Sequence, residues 1–149
     1  MACLSVMHME SLGVRMERHC ANALAVARWL DADSRISWVS YPGLEGDKYH
    51  ALAEKYMPNG TCGVISFGVP GGREKVSAFL DHLKMVSIAT HVADARSCTL
   101  YPAGTTHRQL TDEQLEEAGV GIDLVRLSCG IENAADIIAD LDQALASIQ

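Results

Sequence analysis

A chain of 149 residues, 48% hydrophobic and 21% charged, is expected to form one domain with a single core. Its net charge of −7 comes with no basic cluster, which argues against nucleic acid and anionic membrane surfaces as partners. No apolar run is long enough to span a membrane and the first residues carry no signal-peptide pattern, so the expected location is the cytoplasm.

The five cysteines, Cys3, Cys20, Cys62, Cys98 and Cys129, are odd in number and none has C-x-x-C spacing. Most lie inside apolar runs and read as reduced core thiols. The six histidines show no ligand spacing with them, so no metal site is expected.

The opening residues 1–7 are apolar and uncapped, and read as the end of something that continues upstream. A long helix follows over about residues 8–32, with Leu12, Met16, Ala23, Ala27 and Leu30 on one apolar stripe. Arg15, Arg18, Asn22 and Arg28 fall elsewhere, His19 reads as a helix-surface residue, and Gly13 weakens the first turns. Residues 36–41 read as a strand stopped by Pro42-Gly43, and residues 47–57 as a helix ended by Pro58-Asn59-Gly60. The clearest strand is 62–69, with Ile65, Phe67 and Val69 on one face, and Gly63 and Gly68 suggesting a close backbone neighbour. Pro70-Gly71-Gly72 turns the chain into a helix over about 73–83.

Two further strands, 85–88 and 98–101, flank a polar connection, residues 90–97. After Pro102 comes an irregular stretch, and then Thr111 opens a capping box with Gln114, leading a short helix that ends at Gly119. The last strand, from Leu124, is followed by a helix with Asn133 as N-cap, Asp136 in its first turn, and a stripe of Ile137 or Ile138, Leu141, Leu145 and Ile148. Interleaved helices and short strands without repeats imply an α/β fold of the α+β two-layer sandwich kind, a mostly antiparallel sheet of about four strands with helices on one face.

On that last strand Val125, Leu127 and Cys129 point to one face, and Leu124, Arg126 and Ser128 to the other. A guanidinium fixed between two apolar neighbours suits the bidentate grip of a carboxylate. The same placement also suits a core-edge arginine paired with a structural Asp or Glu. The four lysines, Lys48, Lys55, Lys75 and Lys84, lie on or beside helices and read as solvated. No Ser-His-Asp order, phosphate-binding loop or dinucleotide fingerprint is present. His107 reads as a structural histidine in an irregular turn, with an acid-base or ligand role as the other option. The residues by themselves do not contain a complete active site.

Residues 12–24, Leu-Gly-Val-Arg-Met-Glu-Arg-His-Cys-Ala-Asn-Ala-Leu, resemble the long helix joining the two domains of the pyridoxal-phosphate (PLP)-dependent Cys/Met metabolism family. Residues 38–44, 90–97, 102–107 and 125–132 are similar to later segments of that family, in the same order. Within the family the resemblance is greatest to the O-acetylhomoserine sulfhydrylase group, enzymes of methionine and cysteine biosynthesis. It implies that the chain is the small C-terminal substrate-binding domain of a fold-type I PLP-dependent transferase, preceded by the end of the interdomain helix.

The resemblance also implies roles. Arg126 grips the α-carboxylate of an amino-acid substrate such as O-acetylhomoserine, and the backbone of His91, where the family often has Asn or Ser, serves the same carboxylate. Thr106 orients Arg126, and Ser97 supports the site from behind. Tyr101 replaces a usual His, and Gly104 a usual Ser. The cofactor is pyridoxal 5'-phosphate, held by a lysine in a large domain upstream, so this chain carries no catalytic lysine and no covalent cofactor. The implied partner is that large domain, as a missing segment or a separate chain, and the chain alone is expected to self-associate. The alternative is a free-standing binding or interaction module that keeps the fold without the chemistry.

Overall fold

A computed structural model describes residues 2–149; of the uncapped opening stretch, Met1 lies outside the described residues. Two helices open the chain, α1 (Ala2–Glu10) and α2 (Leu12–Asp31). The single helix expected from residue 8 onward is thus broken. Ser11 leaves helical geometry at φ −97° and ψ 4°, and its hydroxyl and the Arg15 guanidinium both donate to the His8 carbonyl. A serine side chain bonding to nearby backbone competes with the helical ladder, and Gly13 adds its own flexibility just after.

The remaining elements follow in order: β1 (Trp38–Ser40), α3 (His50–Tyr56), β2 (Val64–Gly68), α4 (Gly72–Asp81), β3 (Ser87–Ile88), β4 (Cys98–Leu100), α5 (Asp112–Glu117), β5 (Leu124–Ser128) and α6 (Ala134–Ala146). A 3-10 turn, Pro102–Gly104, follows β4. The capping box at Thr111 forms in both directions, and the Asn133 side chain accepts from Ala135 N–H.

The sheet has five strands in the order β1-β2-β5-β4-β3, one from each stretch expected to be a strand. All neighbours are antiparallel except β3 and β4. The two-residue β3 lies on an edge, within the stretch 85–88, and pairs with β4 in parallel, joined to it by a crossover loop and not a hairpin.

Register assigns the faces, since cross-strand partners share one. Val39, Phe67 and Val125 form one rung, and Ile65, Leu127 and Thr99 the next. On this face the sheet meets Ala23, Val26 and Leu30 of α2, Val76 and Phe79 of α4, and Ile137, Leu141 and Leu145 of α6, all in one core. Phe67 and Phe79 meet edge to face, with centroids 6.2 Å apart at 87°, a favoured aromatic arrangement. The sheet therefore has its helices on one side, as expected.

The opposite face carries the rung Ser40, Ser66, Arg126 and Leu100. It is not wholly bare. Cys98, Leu100 and Ser128 are buried, whereas Ser40, Ser66, Leu124 and Arg126 are half-buried. Beside Arg126, a hollow of about 520 Å³ is lined by Trp38, Ser40, Asp47, Lys48, Ser66 and Leu124, among others. Among the described residues no helix is long and apolar enough to cross a membrane.

Candidate functional site

β5 delivers Arg126 to the open face, and the loop 89–97 runs beside it. The Arg126 Nη2 donates to the Thr90 carbonyl at 3.2 Å. Its Nε is buried and has no hydrogen-bond partner among the described residues. An orphaned buried donor costs on the order of 1–3 kcal/mol until an acceptor reaches it. A carboxylate has two acceptor oxygens at the spacing of a guanidinium edge, and so matches this defect. The expected alternative, a closed ion pair to a structural Asp or Glu, is absent among the described residues.

The loop is fastened to β5 along its length. Ala93 N–H donates to Ser128 Oγ at 3.1 Å. Ala93 holds φ at +58°, a left-handed conformation that is uncommon for alanine and signals an over-determined backbone. Ile131 N–H donates to the Ala95 carbonyl at 2.9 Å. Ser97 is fully buried; its N–H and hydroxyl donate to the two Glu132 carboxylate oxygens at 2.6 and 3.0 Å, and its Oγ accepts from Gly130 N–H at 2.9 Å. Ser97 thus ties the end of the loop to the exit of β5.

His91 is in the same loop next to Thr90. Its side chain is 60% exposed and lies 3.4 Å from Asp94 Oδ2. The backbone N–H of Arg96, working against burial and helped by the Arg96 and His91 side chains, holds the Asp94 carboxyl below its ordinary range. Thr106 is exposed and its Oγ1 is 2.9 Å from His107 Nδ1. No Thr106–Arg126 hydrogen bond forms among the described residues. The guanidinium takes the Thr90 carbonyl instead, and His107 serves as the structural partner of its neighbouring turn.

Two polar residues of α2 complete the support. His19 and Asn22 are buried, which corrects their expected surface placement. His19 Nδ1 lies 2.6 Å from the Cys129 carbonyl. Asn22 Nδ2 donates to the carbonyls of Gly130 at 2.9 Å and Glu132 at 2.8 Å. These donors satisfy backbone oxygens where β5 ends, which an apolar helix stripe would have left unpaired. His19 does fall three residues after Met16 and four before Ala23, so spacing alone marked it as inward.

The cysteines are free, but only Cys98 and Cys129 are buried, while Cys20 and Cys62 are half-buried and Cys3 is exposed. Cys3 is therefore no core thiol, because α1 is exposed over residues 3–10 and contributes nothing to the core. Burial, reinforced by the nearby Glu132 and Cys62 charges, pushes the Cys129 thiol up to about 12, which makes it a packing residue and not a nucleophile. Among the described residues no group of three His, Cys, Asp or Glu side chains gathers as metal ligands.

The four lysines are all exposed. The Lys48 and Lys55 ammonium groups lie over the rings of Tyr49 and Tyr56, and Lys75 donates to the Ile148 carbonyl.

Residues 1–146 match the family described as Cys/Met metabolism PLP-dependent enzyme. The chain is 48% identical over 137 residues to the homocysteine synthase of Schizosaccharomyces pombe, covering 92% of this chain and 32% of that one. It is 46% identical over 140 residues to the O-acetyl-L-homoserine sulfhydrylase of Leptospira meyeri, covering 93% of this chain and 32% of the relative. A crystal structure of a candidate O-acetylhomoserine (thiol)-lyase from Campylobacter jejuni, containing N'-pyridoxyl-lysine-5'-monophosphate, superposes with a TM-score of 0.85 at 39% identity. That match covers 92% of this chain and 32% of the other. The chain spans about a third of the length of these relatives. With a helix-backed sheet, an arginine on its open face and a match along almost its whole length, the chain belongs to the Cys/Met metabolism PLP-dependent enzyme family.

Proposed function

We propose that this chain is the C-terminal, substrate-binding part of an O-acetylhomoserine sulfhydrylase-like enzyme of the cytoplasm, one that replaces the γ-acetate of O-acetylhomoserine with sulfide or a thiol. The observation that carries the reading is the Arg126 guanidinium, with one nitrogen tied to Thr90 and its buried Nε without an acceptor. Relatives bearing sulfhydrylase and homocysteine synthase names support the choice of reaction.

In this reading Arg126 binds the substrate α-carboxylate through two parallel hydrogen bonds, and the backbone at His91 meets the same carboxylate. Pyridoxal phosphate, when bound, draws electron density from the substrate's α-carbon. Arg126 keeps the carboxylate from rotating, so the α-carbon bond stays in a productive orientation. Ser97 keeps the loop closed behind it. Thr106, one turn away, orders the His107 segment at the rim. In the same reading, the lysine that holds the cofactor and moves protons belongs to a large partner domain, in keeping with a chain that spans about a third of its relatives' length.

The test is complementation. The chain with pyridoxal phosphate alone should give no stoichiometric lysine adduct after borohydride reduction and no thiol-dependent turnover. Co-expressed with the lysine-bearing domain of a relative, it should turn over O-acetylhomoserine. Turnover by the chain alone, with one of its own four lysines modified, would refute the reading.

A further inference from the structure

We infer that Glu132 is a positioning residue for the Arg126 site: with Ser97 it laces the 89–97 loop to the end of β5 and sets the gap between the guanidinium and the Thr90–His91 backbone. The inference rests on the reading of Arg126 as a carboxylate-binding group.

The geometry is a closed ring of three bonds. Glu132 Oε1 accepts from Ser97 N–H at 2.6 Å, its Oε2 accepts from the Ser97 hydroxyl at 3.0 Å, and Ser97 Oγ accepts from Gly130 N–H at 2.9 Å. The carboxylate therefore joins the loop's last residue to the strand's exit through two oxygens at once. A single bond would leave a hinge, whereas a two-point attachment removes rotation about it.

Gly130 permits the approach. A Cβ built there would lie 2.5 Å from the Ala95 carbonyl oxygen, 2.6 Å from the Arg96 carbonyl carbon and 2.3 Å from Glu132 Oε2. Loop and strand backbones are thus in contact across a residue that can have no side chain. The far side of the same turn is held by Asn22, which donates to the carbonyls of both Gly130 and Glu132. Glu132 is consequently fixed from its backbone by α2 and reaches across the turn with its carboxylate.

What this arrangement controls lies at the loop's other end. Between Ser97 and Thr90 the loop is tied to β5 through Ala95 and Ala93, and its first tie is the Arg126 Nη2 bond to Thr90. Strand and loop form two rails with Glu132 as the terminal bolt. Loosening the bolt lets the rails spread, so that Arg126 and the Thr90–His91 backbone no longer meet one carboxylate together. Glutamine has the same length and can keep both points of attachment, its carbonyl oxygen accepting from Ser97 N–H and its amide nitrogen donating to Ser97 Oγ, so it should substitute in large part.

The test uses the full 149-residue chain, labelled with ¹⁵N, with sodium acetate as the carboxylate probe and the Arg126 Nε–H resonance as the readout. In the unsubstituted chain acetate should move this resonance saturably. Glu132→Ala should raise the acetate midpoint by about fivefold or more, Ser97→Ala should raise it in the same direction, and Glu132→Gln should stay within about twofold. If Glu132→Ala does not fold, Ser97→Ala against Glu132→Gln carries the same contrast. A chain in which acetate never moves the resonance refutes the Arg126 reading and the inference with it. A chain that responds, with the midpoint unchanged in Glu132→Ala or in Ser97→Ala while thermal melting falls, leaves the Arg126 reading intact and overturns the positioning role.

Discussion

The ring of Tyr101 occupies the space that a side chain on Gly104 would need. A Cβ at residue 104 would lie 2.6 Å from the ring's Cδ1 and 2.8 Å from Cε1. The ring cannot swing away freely, because it is buried and its hydroxyl donates to the Ile122 carbonyl at 2.8 Å. The ring and the glycine are therefore matched to one another, and they keep the turn that carries Thr106 packed.

Adding a side chain at 104 alone should be costly. Gly104→Ser is expected to destabilise the chain by about 1–3 kcal/mol, the usual range for overpacking. Pairing it with Tyr101→His should recover much of that loss, giving a coupling well outside additivity. Denaturant unfolding of both single variants and the double variant measures this; simple additivity would show that the ring and the glycine are independent.

Asp140 is expected to give the chain an acid-sensitive element of stability. Burial by itself would raise its carboxyl, but the N–H groups of Val86, Lys84 and Met85 and the Gln143 side chain together bring it below its ordinary value. A depressed folded-state value means the stabilisation is present above the unfolded carboxyl's range and is lost as pH falls through the folded value. Asp140→Asn places an amide against backbone donors, and should cost about 1–3 kcal/mol near neutral pH. It should also flatten the acid limb of the stability curve, and an unchanged limb in a pH series of chemical melts would remove Asp140 from the account.

The start of the chain is expected to make it associate. Leu4, Val6, Met7 and Met9 of α1, with Leu12 and Val14 at the start of α2, are all exposed. A contiguous apolar surface of this kind seeks a partner. Light scattering should give a mass above that of one chain, and replacing Leu4, Met7 and Val14 with Glu, Lys and Gln should return it to a monomer. A clean monomer before substitution would contradict the expectation.

Strand alternation made the core face readable in advance: Val125, Leu127 and Cys129 are each fully buried. Short-range chemistry was readable too, since the Thr111 box and the Asn133 cap depend on residues two or three positions away. Arg126 could be singled out because a charged side chain on a strand flanked by apolar residues has few stable uses. The partners of His19 and Asn22 were not readable in this way. Their acceptors, Cys129, Gly130 and Glu132, lie more than a hundred residues along the chain, and polarity alone suggests a surface. The partner of Thr106 was missed for a related reason, since the competition between His107 and Arg126 is decided by the path of the 101–107 turn. Glu132 reads as an ordinary acidic residue before a helix until Ser97 is seen against it.

The central claim is that Arg126 binds the substrate carboxylate, and its most direct measurement is steady-state kinetics of Arg126→Lys in the enzyme assembled with a lysine-bearing domain, beside thermal melting. Lysine keeps the charge and loses the planar fork. The specificity constant for O-acetylhomoserine should fall by the equivalent of about 2–4 kcal/mol, the loss of a charge-assisted bidentate pair. Melting should change little, because no carboxylate of the chain itself pairs with the guanidinium among the described residues. Unchanged kinetics with a much lower melting temperature would contradict the claim and make Arg126 a structural residue.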